Sequence, residues 1–294
     1  MPSTMVETTY YCDSCGDEVD TDWGYFCESC SVWRCDTCGE CAGEDNHDSR
    51  VHVWDYRPNR FRPKGNHRTE ALFGVELEVG GHKSTIANVV ARHDDLERHL
   101  YMKEDGSIRG VEIVSHPMTL AWARNEFPFA TLLESLREAG CYVNDGYGLH
   151  IHVSRNAFQR DGKASAAHQM MWLLFMYRNA AMLEKLARRT SERWAAFHKP
   201  QPGELARKAK SVLREDRYVA VNCNNEKTFE LRFFKSTLDE QEFYAALEFA
   251  DASVRYTRSI TIQDVLRGRA ITWAHFAKWV KRHNYRNLSA ELGR

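Results

Sequence analysis

The sequence predicts an α+β fold in which a large domain follows a small N-terminal module built around metal ions. Four segments alternate apolar and polar residues, as half-buried strands do, and several longer segments carry apolar residues at helical spacing. Seven of the nine cysteines lie between residues 12 and 41. With 294 residues, of which 43% are hydrophobic, the chain is long enough for one large core and one appendage.

The charge is distributed unevenly along the chain. Residues 1 to 52 contain 12 Asp and Glu against 2 Lys and Arg, a net charge of −10, whereas residues 53 to 294 contain 29 against 38, a net charge of +9. A basic excess in the large domain suits a polyphosphate ligand, and an acidic N-terminal part suits a cationic partner. The basic residues form no stripe with interleaved aromatics, so the sequence gives no nucleic-acid signal.

The composition also predicts the compartment. No apolar run approaches the roughly 20 residues needed to span a bilayer. The first residues lack the charged start and apolar stretch of a signal peptide. We therefore expect a soluble, cytoplasmic protein without a membrane partner, in which clustered cysteines indicate metal binding in preference to disulfides.

Residues 10 to 54 contain three Cys-x2-Cys pairs followed by two histidines. Thiolate pairs at this spacing bind one tetrahedral Zn²⁺ from a tight turn, so eight ligands are enough for two ions. The pattern resembles the ZZ-type zinc finger, a family of peptide readers. The resemblance implies two structural zinc sites, one of Cys12, Cys15, Cys35 and Cys38 and the other of Cys27, Cys30, His47 and His52. Cys41 has no place in this scheme, and whether it replaces a ligand of the second site stays open.

Residues 55 to 70 predict a linker, because two prolines, a glycine and six basic residues occur there without periodicity. The large domain then spans residues 71 to 294. It is organised around residues 73 to 79, which would form a strand. Glu76 and Glu78 would lie on one face, roughly 7 Å apart, and the two valines and the leucine would lie on the other. Taken alone, this segment is equally an amphipathic strand with a hydrated face.

Three later segments repeat this arrangement, and Glu112, His150, His152, Glu230 and Arg232 occupy their polar positions. A solvent-washed face would more often carry Lys, Thr, Gln and Ser in mixed order. Carboxylates and histidines are instead ligands of metal ions, and arginine binds phosphate. Asp105, in an Asp-Gly turn seven residues before Glu112, could reach the same site, although a turn role alone explains it.

The remaining segments predict mainly helices. Apolar spacing indicates a helix over residues 84–100 that includes Leu96, a helix over 119–139 interrupted at Pro128, and a long core helix over 164–189. Residues 217–222 would form a strand that pairs with the Glu230 strand. Two or three helices follow between 239 and 283, and residues 273–279 would be a surface helix that covers the sheet.

Residues 72 to 238 resemble the amidoligase branch of the glutamine synthetase and glutamate–cysteine ligase superfamily. The matching pieces occur in the family's order at residues 74–78, 105–107, 112–117, 148–153 and 229–233. The resemblance implies an antiparallel sheet curved into a half-barrel, with helices on its convex side and with ATP and Mg²⁺ in the concavity. It says nothing about the zinc module.

The resemblance also implies a role for each polar residue. Glu78, Asp105 and Glu112 would hold one Mg²⁺, and Glu76, His150 and Glu230 the other. His152 would face the phosphates, Arg232 would bind the transferring γ-phosphoryl group, and Lys103 would be a weaker candidate for the same work. The implied reaction joins a carboxylate to an amine through an acyl phosphate, with the zinc module recruiting a peptide or protein substrate.

Three other functions remain open on the sequence. The site could end its reaction at phosphorylation, as in kinases that act on guanidino groups. The protein could be an inactive, zinc-organised binding adaptor, although none of the signature positions is degraded. It could also be a metal-dependent hydrolase, although Glu76 and Glu78 exceed what one catalytic zinc uses.

Overall fold

The computed structural model describes residues 9–12, 16–19, 25–27, 32–35, 48–66, 70–160, 163–190, 195–198, 203–210, 219–268 and 270–293. A large mixed sheet and several helices make up most of this part, which confirms the predicted α+β class. Within it, no helix combines the length and apolar character needed to cross a membrane.

The strands are short near the N-terminus and longer in the large domain. They are β1 Tyr10–Tyr11, β2 Glu18–Val19, β3 Tyr25–Cys27, β4 Val32–Arg34, β5 Val51–His52, β6 Phe73–Gly80, β7 Leu100–Lys103, β8 Gly110–Ser115, β9 Gly148–Ser154, β10 Gln159–Arg160, β11 Lys163–Ala164, β12 Val221–Asn222 and β13 Thr228–Lys235. In the described part of the chain, seven of them form one sheet in the order β12-β13-β9-β6-β8-β7-β5. Its pairs are antiparallel except the parallel pair of β5 and β7, so the sheet is mixed and not wholly antiparallel as predicted.

Helices occur in every segment predicted to be helical, and two further helices, Glu204–Lys210 and Arg286–Glu291, were not predicted. The helices are α1 Lys83–His93, α2 Leu120–Asn125, α3 Phe129–Glu138, α4 Ala166–Arg178, α5 Ala180–Ala187, α6 Glu204–Lys210, α7 Glu240–Arg258, α8 Ile262–Leu266, α9 Trp273–Val280 and α10 Arg286–Glu291. The interruption predicted at Pro128 separates α2 from α3. The single helix predicted over 164–189 is instead two helices. They part at Asn179, whose side-chain amide donates to the carbonyl oxygens of Phe175 and Ile271.

Helix α1 ends earlier than the apolar spacing predicted. It stops at His93, and Leu96 is 56% exposed. The Asp94 carboxylate accepts hydrogen bonds from the backbone N–H groups of Arg98, His99 and Leu100, at 3.0, 2.6 and 2.8 Å. Asp94 thereby stabilises a turn that leads directly into β7, because its side chain competes with the helix for backbone donors.

The apolar face of β6 lies in the core, as the alternation predicted. Val75, Leu77 and Val79 are at most 3% exposed and belong to one core cluster with Trp172 of α4 and Phe249 of α7. Helix α9 joins the helical layer through Phe276, which contacts Phe175, Phe249 and Tyr256. The apolar side of the sheet is therefore covered by helices, while its curvature stays a prediction.

Glycine at position 110 allows β6 and β8 to pair closely. A Cβ at Gly110 would lie 1.9 Å from the main-chain oxygen of Val79, which cannot swing aside as a side chain can. We expect Gly110→Ala to lower the free energy of unfolding by about 3 kcal/mol, the upper end for overpacking. In the control, Gly106→Ala meets no atom within 4 Å and should stay within about 0.5 kcal/mol. Chemical denaturation that gives both variants the same stability would contradict this account.

The described pieces of the predicted zinc module form two hairpins, β1 with β2 and β3 with β4. Cys12 and Cys35 are buried in one small cluster with Val19, against which Tyr10 and Trp33 pack. Cys15, Cys30, Cys38, Cys41 and His47 lie outside the described residues, as does the side chain of Cys27. Both zinc sites therefore stay predictions.

His52 lies in β5, and the side chains of the three residues predicted to share its zinc ion, Cys27, Cys30 and His47, lie outside the described part. His52 pairs with Lys103 of β7 in the main sheet. Its Nε2 lies 2.6 Å from Oε1 of Glu97, and its ring stacks on Tyr56 with 3.5 Å between ring centroids. The end of the predicted N-terminal module thus forms part of the sheet of the large domain. The boundaries at residues 54 and 70 stay predictions.

Candidate active site

Strand register assembles the polar face of the sheet. Residues directly opposite each other in an antiparallel pair project to the same face. Glu76 lies opposite His150, and Glu78 lies opposite Glu112, which in turn lies opposite Lys103. Strands β6, β7, β8 and β9 therefore bring three carboxylates, an imidazole and an ammonium group to one surface.

The same face continues onto β13. Glu230 lies opposite His152, and the guanidinium of Arg232 contacts Oε1 of Glu230. The other carboxylate oxygen accepts a hydrogen bond of 2.8 Å from Nδ2 of Asn222 in β12. Both oxygens of Glu230 are thus held in place from neighbouring positions.

Among the described residues, three overlapping groups of side chains each offer ligand atoms within 4.8 Å of one another. They are Glu76, Glu112 and His150; Glu76, His152 and Glu230; and Glu78, Asp105 and Glu112. The last group is the set predicted for the first ion. For the second ion, the structure groups Glu76 and Glu230 with His152 in place of His150. His150 is still close, since its Nδ1 lies 3.6 Å from Glu76 and 3.8 Å from Glu230.

Two buried histidine nitrogens on this face, Nδ1 of His150 and Nε2 of His152, have no well-aligned hydrogen bond among the described residues. The opposite ring nitrogen of His152, Nδ1, lies 3.1 Å from Oγ1 of Thr228. This contact turns Nε2 toward Glu76, where it lies 3.1 Å from Oε1. Orientation through the second ring nitrogen is typical of histidines that bind metals.

The Glu78 end of the face is held by main-chain and charge contacts. The N–H of Gly148 donates to Oε2 of Glu78 over 2.6 Å. Lys103 Nζ lies 2.7 Å from Oε2 of Glu112 and 3.9 Å from Oε1 of Glu76. Lys103 is therefore engaged by two carboxylates of the face.

Asp105 forms the predicted turn and also faces the cluster. Its Oδ1 accepts hydrogen bonds of 2.7 Å from both the N–H and the hydroxyl of Ser107. Its carboxylate also lies within the group that contains Glu78 and Glu112. The two interpretations of Asp105 that the sequence left open are therefore compatible.

Two of the carboxyls are held in the charged form. Burial alone would raise the pKa of Glu76, but His152, His150 and Lys103 keep it well below its ordinary value. Burial would likewise raise the pKa of Glu230, and the charges of His152 and Arg232 lower it. These two groups can present negative oxygens to a cation at neutral pH.

The pKa values of Glu112 and Glu78 are shifted in the opposite direction. Burial and then the charge of Glu76 raise the pKa of Glu112 well above its ordinary value, in spite of Lys103. Burial raises the pKa of Glu78, with partial compensation from His150 and the Gly148 N–H. Carboxylates that lie close together in a buried site disfavour each other's charged form, and a bound cation would offset this repulsion.

A divalent cation fits this donor set. Glu78, Asp105 and Glu112 offer only oxygen atoms, which Mg²⁺ prefers. Glu76 and Glu230 add two more carboxylates, with an imidazole nitrogen beside them that has no well-aligned hydrogen bond in the described part. The chemistry of the donors and the crowding of negative charge both favour occupation by cations.

The structure adds three residues that the sequence analysis did not select. Tyr101 precedes Lys103 by two residues in β7, and the charges of Glu76 and Glu112 add to burial in raising its pKa. Strand alternation could have identified it. Asn222 could have been found from its place opposite Glu230. Arg189 follows helix α5, and no periodic signal connects it to the sheet.

Comparisons with known proteins address the family to which this chain belongs. No curated protein matches this chain. The solved complex between the prokaryotic ubiquitin-like protein Pup and its ligase PafA is similar, with a TM-score of 0.35 and 12% sequence identity over 76% of this chain and 62% of that chain. The similarity thus spans less than two thirds of the length of that chain. The model of the family described as "Putative amidoligase enzyme" matches residues 82–254. This chain belongs to the amidoligase family.

Proposed function

We propose that the protein is an ATP- and Mg²⁺-dependent carboxylate–amine ligase that forms an amide or isopeptide bond through an acyl phosphate. The observation that carries the proposal is the overlap of three oxygen-rich ligand groups on one sheet face, beside Arg232 and Lys103, in a chain of the amidoligase family. Such a face suits a nucleoside triphosphate with its bound cations.

The ligands divide into two sets. Glu78, Asp105 and Glu112 would hold one Mg²⁺, and Glu76 and Glu230 would hold the other with a nearby imidazole, from His150 as the sequence predicted or from His152. When bound, the ions would neutralise phosphate oxygens and align the terminal phosphoryl group for transfer.

Arg232 would bind the transferring γ-phosphoryl group, and His152 would face the phosphates. Arg232 contacts Glu230 through one terminal nitrogen, and its buried Nε has no hydrogen-bond partner in the described part of the chain. Its planar group therefore keeps donors for phosphoryl oxygens, to which arginine binds in a bidentate manner. Burial alone would lower the pKa of Lys103, but Glu76 and Glu112 raise it, so Lys103 stays charged and can supply a second positive group.

The reaction has two balanced steps. A carboxylate oxygen of the acid attacks the γ-phosphorus, the bond to the bridging oxygen breaks, and ADP leaves. An amine then attacks the acyl carbon, the acyl C–O bond breaks, phosphate leaves, and the amine loses a proton. The net reaction converts acid, amine and ATP into amide, ADP and phosphate. Water must be kept from the acyl phosphate, which hydrolysis would destroy.

Product analysis tests this function. We expect ADP release to need both an acid and an amine when the protein is incubated with ATP, Mg²⁺ and pooled amino acids, peptides and polyamines. Mass spectrometry should find two components joined with loss of water. Arg232→Ala should abolish both signals, whereas the exposed control Arg137→Ala should retain them, since the Arg137 side chain is 69% exposed.

Labelled substrate then tests the intermediate. Once the acid is identified, a carboxylate labelled with oxygen-18 should transfer one labelled oxygen to the released phosphate. A stable phosphorylated product would instead support a phosphotransferase. Absence of ATP turnover with every acid and amine would favour an inactive adaptor.

The acidic N-terminal part would recruit a peptide or protein amine, since residues 1 to 52 have a net charge of −10 that attracts a cationic group. A chain that begins at residue 48 keeps β5 and lacks the residues that carry this net charge, since Asp48 and Arg50 cancel. We expect this truncation to raise KM for macromolecular amines and to leave KM for small amines unchanged. An unchanged KM for every macromolecular amine after truncation would reject recruitment.

A further inference from the structure

Arg189 reaches the polar face of the sheet from outside it. Alternate residues of β9 share a face, so Gly148 points the same way as His150 and His152. A Cβ on Gly148 would lie 2.7 Å from Nη1 of Arg189 and 2.6 Å from Nε2 of His150. The guanidinium therefore fills the space that a side chain at position 148 would take, beside His150.

The contacts of Arg189 leave part of its hydrogen-bonding capacity unused. The residue is 8% exposed. Its Nη2 donates to the carbonyl oxygen of Gly146 over 3.1 Å, and its Nη1 lies 3.5 Å from that of Phe234. Its Nε has no hydrogen-bond partner among the described residues, and no carboxylate among them lies within ion-pair distance of it.

A buried cation without a counter-ion is costly, and an anion that binds beside it recovers that cost. Arg232 on the same face already has such a partner in Glu230. Burial lowers the pKa of Arg189, and the charge of Glu78 offsets this only in part, at longer range. The one strong ligand that Arg189 lacks in the described part is therefore an oxyanion.

We propose that Arg189 binds an oxyanion of the substrates, a carboxylate or a phosphoryl group, at the Glu78 end of the polar face. The inference rests on the proposed function, because it takes the oxyanion to belong to a reactant of the ligation. Arg232 lies on β13, which pairs with β9 beside Gly148, so the two arginines lie near each other on the polar face. The reaction brings together two anionic reactants, the γ-phosphoryl group and the acid. A planar guanidinium suits either one.

Orthophosphate binding tests the proposal without requiring catalysis. We expect wild-type protein in Mg²⁺ to bind orthophosphate by titration calorimetry, Arg189→Gln to bind it at least about 10-fold more weakly, and Arg189→Lys to fall in between. Arg155→Gln is the matched control. Arg155 is partly buried and, like Arg189, donates to main-chain oxygens, those of Cys223 and Asn225. The affinity of the control for orthophosphate should be within about twofold of that of wild type. Thermal unfolding of both glutamine variants shows whether they fold.

Three further probes distinguish the source of the oxyanion. If Arg189 binds the γ-phosphoryl group, Arg189→Gln lowers the affinity for a non-hydrolysable ATP analogue and leaves the affinity for ADP unchanged. If it binds the acid, both nucleotides bind normally and L-glutamate, added with the analogue, binds more weakly. Equal affinity of wild type and Arg189→Gln for all four probes overturns the proposal, and so does a wild type that binds none of them. Failure of the ligase function alone would look different, with Arg189-dependent phosphate binding but no ATP turnover.

Discussion

Glu76→Gln is expected to abolish ATP turnover in a protein that still folds. Glu76 belongs to two of the three ligand groups found in the described residues, and glutamine removes its charge at nearly constant size. Loss of one preorganised charged group at such a site lowers kcat by about 1,000-fold. Without metal, glutamine loses the attraction to His152, His150 and Lys103 that keeps the Glu76 pKa low, so the free energy of unfolding should fall by about 1 to 3 kcal/mol.

The assay for this variant is ADP release together with thermal unfolding in Mg²⁺ and in chelator. Wild type should melt at a higher temperature in Mg²⁺, and Glu76→Gln should lose most of that increase. Glu134→Gln is the control, since the Glu134 side chain is 60% exposed and pairs only weakly, at 3.6 Å from Arg137. Full activity in Glu76→Gln would remove Glu76 from the mechanism.

Gly148→Ala is expected to lower kcat/KM by at least about 100-fold in a protein that still folds. The added methyl group would meet the ends of the Arg189 and His150 side chains, at 2.7 and 2.6 Å. These flexible groups can move, whereas main chain cannot, so the fold should lose only about 1 kcal/mol. Both groups would leave their positions beside Glu78, and displacement of about 1 Å in an active site costs about 100-fold.

The matched control for this variant is Gly74→Ala on the same face. Gly74 lies opposite His152, and its Cβ would lie 3.5 Å from Cβ of His152, an ordinary contact. We expect Gly74→Ala to keep activity within a few-fold of wild type. Equal activity in the two alanine variants would show that the space above Gly148 has no part in the reaction.

The polar face could be predicted because a strand has a side-chain period of two. Any strand that buries Val75 and Leu77 must turn Glu76 to the other side, whatever its neighbours are. Register was beyond the sequence, since it depends on how strands from distant parts of the chain meet. The grouping of Glu76 and Glu230 with His152, close to His150, follows from that register and from Thr228, which contacts the His152 ring.

Other features depend on single contacts that no periodic pattern encodes. Helix α1 stops where the Asp94 side chain binds three backbone N–H groups. Helices α4 and α5 part where Asn179 binds a carbonyl oxygen from residue 271. Arg189 belongs to no strand, and only the absence of a side chain at Gly148 admits it to the face. Such contacts join residues far apart in sequence.

The parallel pairing of β5 with β7 gives the N-terminal part a protective role. Without Val51 and His52, β7 would become the border of the sheet, and the backbone groups that now pair at Met102 and Lys103 would lose their partners. Exposed borders of this kind recruit strands from other molecules and lead to aggregation. Proteolysis ahead of residue 48 would thus leave a well-behaved protein, whereas cleavage after residue 52 would release one that self-associates.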